Sequence, residues 1–208
     1  MKTKICLMLC ALAVLLGNWS TAAVAESCCC CRSTLVNTAS SVALSADETH
    51  DLLLMREEEK LARDVYAAMN EVYSQRIFVN IPRAEQNHMD AVLGLLNAHG
   101  LADPAKEKPG AFGNKELQKL YNQLVKRGTK SREEAFLVGA FVEELDIQDL
   151  IESMKRTSNK DILAVYENLL GGSKRHLNAF VRNYEAASGQ TYKAQRMSQT
   201  DVNAILGR

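Results

Sequence analysis

Proline is scarce in this chain, with three in 208 residues, and aromatic residues make up only 6%. A helix interior loses a hydrogen bond at every proline, so this scarcity leaves room for long helices. Abundant Ala, Leu and Glu favour them further. Neither sign of charge is in excess. Lys plus Arg equal Asp plus Glu at 25 each, which excludes the global basic field of a nucleic-acid binder. Cysteine is missing from the whole chain beyond Cys31, which excludes a thiolate metal site or a disulfide framework in the body of the protein.

Long apolar runs are also lacking, with one exception at the start. Ile5 to Gly17 follows the basic pair Lys2 and Lys4, and is too short for a comfortable membrane span. Ala23-Val24-Ala25 then supplies a small-residue cleavage pattern. The reading is a signal peptide over 1–25, cut before Glu26, an exported protein (periplasmic or extracellular) and no stable membrane span after cleavage. Cys6 and Cys10 leave with the leader. Cys28, Cys29, Cys30 and Cys31 remain, consecutive, without zinc-knuckle spacing. In an oxidising compartment they can pair with one another or between chains. Residues 26–44 read as a Cys-bearing flexible linker, since Arg32 to Leu44 is rich in Ser, Thr and Ala and keeps no period.

Helical periodicity governs the chain beyond residue 44. Ser45 and Glu48 form a capping box that opens a helix to about Tyr73, with Leu52, Met55, Ala62, Tyr66 and Met69 inward. Asn80 is expected to cap a second helix, with Pro82 in its first turn, ending before Gly100. Two prolines and two glycines make 101–113 a loop. Asn114 starts a shorter helix that Gly128 closes. Ser131 with Glu134 makes a second capping box, opening a helix to about Lys155. Asn159 caps the last long one, to about Ser188, in which Gly171-Gly172 is an unusual mid-helix pair. A weak helical pattern ends the chain at Asp201 to Leu206. The expectation is an all-α protein, with a helical bundle over 45–190 and a C-terminal tail over 191–208. Short, long and short connections between the four long helices match a ferritin-like bundle with one crossover, which here carries the extra short helix, while periodicity alone also allows an ordinary up-down bundle.

Each long helix sets an ionisable ligand type among its apolar residues: Glu58 or Glu59, Glu85 with His88, Glu143 or Glu144, and His176. Residues three apart share a helix face, so Glu85 and His88 project together. An unpaired charge aimed at a core is costly unless it meets a cation. Oxygen and imidazole donors without thiolate suit iron or manganese. Runs such as Glu57-Glu58-Glu59 are usually solvated, so at most one or two of the three should face inward. His50 and His99 lie near helix ends and read as surface groups.

Glu59-x-x-Ala62-Arg63-x-x-Tyr66 resembles the first-helix signature of rubrerythrins, and its Glu-to-Tyr spacing is also seen in bacterioferritins. Glu85-x-x-His88, followed by Asp90, is similar to their second-helix ligand motif. The run from Arg56 through His176 more closely resembles a prokaryotic family of ferritin-like domain proteins of unknown function, over about residues 46 to 198. The resemblance implies a ferritin-like four-helix bundle and a carboxylate–histidine centre for iron, mononuclear or dinuclear, or for manganese. The expected ligands are Glu59, Glu85, His88, Glu144 and His176, with Tyr66 hydrogen-bonding beside them. One departure stands on the last helix, where the pattern calls for a carboxylate three residues before the histidine and this chain has Ser173. The activity implied is redox chemistry on oxygen, peroxide or ferrous iron, of peroxidase or ferroxidase type. Paired cysteine motifs of a rubredoxin-type donor are absent, so an external electron donor would be needed. A homo-oligomer is compatible with the pattern. The alternative is a non-catalytic helical binding module tethered by its cysteine tail.

Overall fold

A computed structural model describes residues 43–208 as six helices, with no strand among them: α1 (Ala46–Tyr73), α2 (Arg76–Ala98), α3 (Lys115–Gly128), α4 (Arg132–Lys155), α5 (Lys160–Ser188) and α6 (Gln199–Leu206). The expected signal peptide, the cysteine cluster and nearly all of the expected linker lie outside the described residues. At the start of α1 the Ser45 hydroxyl accepts from the Glu48 N–H at 3.1 Å, and the Glu48 carboxylate accepts from the Ser45 N–H at 2.8 Å. The expected capping box is therefore formed in both directions. Asn114 and Asn159 cap α3 and α5 as the sequence indicates. The second expected box is half formed. Ser131 accepts from the Glu134 N–H, but the Glu134 carboxylate turns to Arg127 at 2.7 Å.

The start of α2 differs from the expectation. The helix begins at Arg76, after Gln75, so Pro82 lies inside it and Asn80 caps nothing. The reason is burial. Phe78 is 1% exposed and stacks on Phe136 with ring centroids 5.7 Å apart. Packing of an apolar face outweighs local propensity in setting a helix boundary.

Helices α1 and α2 pack together across the two-residue connection Ser74–Gln75, α4 packs on α5, and the pairs meet where α1 touches α4 and α2 touches α5. α3 lies against α1 and α4, and α6 against α5. Two apolar clusters result. One gathers Tyr66, Phe78, Phe136 and Phe180; the other gathers Leu52, Met55, Val92, Leu96, Leu150 and Tyr166. On α1, α2 and α5 the ligand-type residues fall between the two clusters, and α4 brings Glu143 to the same level.

The crossover between α2 and α3 is strapped to α1 by buried charges. Arg56 makes a two-pronged pair with Asp103 at 3.0 and 2.7 Å. Lys60, fully buried, pairs with Asp64, donates to the Lys108 carbonyl at 3.2 Å and lies over the Phe112 ring. Asp64 also accepts from the Gly110 N–H, and Glu57 from the N–H groups of Gly113 and Asn114. Glu57 is buried under the crossover, and Glu58 and Glu59 are buried as well, where at most two of the three were expected to be. The crossover covers the face of α1 that a bare helix would leave to water, and its backbone donors compensate Glu57.

Residues 191–208 form no loose tail. Tyr192 and Val202 are buried in the Tyr66–Phe180 cluster, and Ser198 caps α6.

Candidate metal centre

Glu85, on α2, stands at the middle of the polar level. Its Oε2 is 2.9 Å from His88 Nδ1, and its Oε1 is 2.8 Å from His176 Nδ1 on α5. His88 Nδ1 is also 3.2 Å from Glu59 Oε2 on α1, and His176 Nδ1 is 3.6 Å from Glu143 Oε1 on α4. These contacts make two triads, Glu59–Glu85–His88 and Glu85–Glu143–His176, each with its ligand atoms within 4.8 Å of one another, and Glu85 belongs to both. The imidazoles stack with centroids 5.7 Å apart. Tyr66 donates its hydroxyl hydrogen to Glu143 Oε1 at 2.5 Å. The Glu59, Glu85 and Glu143 side chains are 1–2% exposed and the two histidines 13% each, so the histidine edges are where the cluster comes nearest to solvent.

The mid-helix glycines have a reason here. A Cβ on Gly172 would lie 2.5 Å from His88 Cε1 and Nε2, whereas a Cβ on Gly171 would meet only Arg175, at 3.4 Å. Real Cβ contacts do not reach 2.5 Å. The absence of a side chain at 172 therefore gives His88 its seat against α5.

The expected ligand Glu144 is not in the cluster. It is fully buried on the other side of α4, where it accepts from Tyr192 Oη at 2.6 Å and from the backbone N–H groups of Gln195, Arg196 and Met197. Three converging N–H donors compensate the carboxylate and dock the C-terminal segment. Glu143 takes the place expected of Glu144. Glu59, Glu85, His88, His176 and Tyr66 are brought together as the sequence reading has them. Glu58 is buried on the same helix as Glu59, with its Oε2 left without a partner.

Asp146 is the residue that sequence reasoning missed. It lies on α4 three residues past Glu143, buried, and accepts a hydrogen bond from Ser173, which also donates to the Leu169 carbonyl at 3.0 Å. The spacing Glu143-x-x-Asp146 repeats that of Glu85-x-x-His88, and Phe136, Ala140, Glu143 and Ile147 form one four-three-four stripe. Both signals favour the Glu143 face of α4 over the Glu144 face.

Burial pushes the Glu59 carboxyl up to about 8 although His88 opposes it, and burial with the nearby Glu85 charge pushes Glu143 up to about 7. Burial acts on Glu85 too, but the two imidazoles close to its oxygens, His176 and His88, outweigh that and hold it below the usual carboxylate value. Burial opposes charging of the histidines, yet the carboxylates win and lift His88 to about 11 and His176 to about 10. Without a cation the cluster is thus balanced by bound protons. Even so, Glu59 Oε1, Glu85 Oε1, His176 Nδ1 and Asp146 Oδ1 are buried with no hydrogen-bond partner. Glu85 Oε1 and His176 Nδ1 are close to each other but not aligned as donor and acceptor. Buried polar atoms that converge without satisfying one another are what a cation-binding set requires. Carboxylate oxygens with imidazole nitrogens fit iron or manganese.

Comparison with known proteins gives concordant results. The model of the uncharacterized protein domain DUF2202 matches residues 48–208. The chain is similar to the uncharacterized protein MJ0754 of Methanocaldococcus jannaschii, 44% identical over 167 residues, which is 78% of this chain and 88% of that protein. The crystal structure of hypothetical protein MJ0754 superposes with a TM-score of 0.77 at 43% identity, covering 79% of this chain and 94% of that one.

Proposed function

The chain belongs to the uncharacterized DUF2202 domain family, and within that family we propose that it is a metal-binding protein whose four long helices form a ferritin-like bundle around a non-haem iron or manganese centre. The observation that carries this reading is the pair of triads sharing Glu85. Glu59, Glu85 and His88 would hold a cation on one side, and Glu85, Glu143 and His176 on the other. The bound metal would supply one-electron redox chemistry with oxygen, peroxide or ferrous iron. The chain's own groups do the rest. Glu85 ties the two halves together. Tyr66 fixes the Glu143 carboxylate through its 2.5 Å hydrogen bond and is the donor nearest the site. The apolar clusters above and below keep water from the carboxylates, strengthening their hold on a cation in a low-dielectric interior. The histidine edges, 13% exposed, suit a small oxidant rather than a bulky substrate. Export through the N-terminal leader is part of the same proposal, and electrons for turnover would come from an external donor.

Metal quantification by mass spectrometry on protein purified without an affinity tag and reconstituted with iron or manganese tests this. The wild type should retain at least one ion per chain, and Glu85→Ala and His88→Ala should retain far less. Less than about a tenth of an equivalent in the wild type would refute the metal reading and leave the non-catalytic helical module.

A further inference from the structure

Three acidic side chains, Glu59, Glu85 and Glu143, face one another in the two triads. With both histidines neutral, as metal-ligating imidazoles are, they offer three negative charges. Two divalent cations would bring four positive ones. An uncompensated charge in an interior this buried is costly, so a dinuclear centre needs one more anion nearby. The sequence pattern that the chain resembles puts a carboxylate at position 173, where this chain has serine.

Asp146 is the acid that Ser173 holds. Its Oδ2 accepts from the Ser173 hydroxyl, and its Oδ1 is buried with no partner. The residue is 7% exposed and lies in the field of Glu59, Glu143 and Glu85. Around it, α1 brings Glu58 and Glu59, α2 brings Glu85, α4 brings Glu143 and α5 brings Ser173. No basic group is hydrogen-bonded to it among the described residues. Glu58, the other acid beside it, also has a buried oxygen without a partner, Oε2, but no side-chain donor orients it among the described residues. Of the two, Asp146 is the one held by a donor, the Ser173 hydroxyl, and it keeps its other oxygen free.

We infer that Asp146 is the fourth carboxylate of the centre, supplied from α4 in place of one at position 173 on α5, and that its charge lets the site take two divalent cations. This rests on the metal reading above. Asp146 stands outside the two converging triads, so it acts on the second cation chiefly as a compensating charge. Ser173 is its positioning residue.

The test is calorimetric titration of the metal-free full chain with Mn²⁺, with mass-spectrometric metal content after dialysis and circular dichroism to check folding. The wild type should bind two Mn²⁺ per chain. Asp146→Asn keeps the shape and the Ser173 contact but removes the charge, and should bind the second ion at least tenfold more weakly. The exchange Asp146→Ser with Ser173→Asp returns a carboxylate to α5 and should restore two ions; it decides the matter should Asp146→Asn fail to fold. Two ions at wild-type affinity in Asp146→Asn, or only one in the wild type, would overturn the inference while leaving a metal centre in place. No Mn²⁺ in the wild type would remove both.

Discussion

Glu85 and His176 approach to 2.8 Å between α2 and α5, and the other oxygen of Glu85 lies 2.9 Å from His88. One carboxylate thus serves two imidazoles on two helices. In the metal-free protein Glu85→Gln should lower the pKa of both histidines by at least about one unit, roughly 1.4 kcal/mol each, since the ion pairing that favours the imidazolium is lost. Imidazole titration by NMR checks it. Unchanged histidine titration would mean that Glu85 carries no charge there.

Stability should depend on pH in a direction set by the same groups. Glu59 and Glu143 have folded values of about 8 and 7, above the ordinary 4.5. A group raised on folding stabilises fully below its unfolded value, and that stability is lost as pH rises through the folded value. Metal-free protein should therefore melt at progressively lower temperature from about pH 4.5 to 8. The histidines, raised to about 11 and 10, extend the loss at higher pH. Binding of Mn²⁺ requires the deprotonated ligands, so the stabilisation conferred by the metal should grow over the same interval. Thermal melts at several pH values, with and without Mn²⁺, would show both trends. A metal-free melting temperature rising from pH 5 to 8 would contradict the assignment.

The two adjacent acids of α4 should behave differently. Glu143→Gln should cut metal affinity tenfold or more with a small effect on folding. Glu144→Gln should leave metal content intact but cost about 1–3 kcal/mol, because the N–H groups of residues 195–197 lose their anionic acceptor. Denaturant unfolding alongside metal analysis separates the two. Loss of metal in Glu144→Gln alone would reverse the roles.

Gly171 and Gly172 offer a similar contrast. Gly172→Ala drives a methyl into the His88 ring and should weaken metal binding at least tenfold. Gly171→Ala should be neutral, or stabilising by up to about 1 kcal/mol, since alanine is the better helix former. In a His88→Ala background Gly172→Ala should cost no further affinity. A further loss there would place the effect of Gly172 elsewhere than on His88.

Local chemistry in the sequence determined much of this protein. The caps at Ser45, Asn114, Ser131 and Asn159 set four helix starts, because a side-chain acceptor for free N–H groups is a property of a few neighbouring residues. Period and spacing likewise singled out Glu85, His88 and His176, and narrowed α1 to Glu58 or Glu59, between which the resemblance favoured Glu59. What tertiary structure alone decided involves contacts between distant segments. Phe78 extended α2 past its expected cap by stacking on α4. The crossover buried Glu57 by bringing its own donors, while packing between helices buried Glu58 and Glu59. The returning C-terminal segment claimed Glu144 and left Glu143 to the cluster. Glu85 and His88 were legible as a pair on one helix face, three residues apart. That the same Glu85 also meets His176 depends on how α2 packs on α5, and no local pattern encodes it.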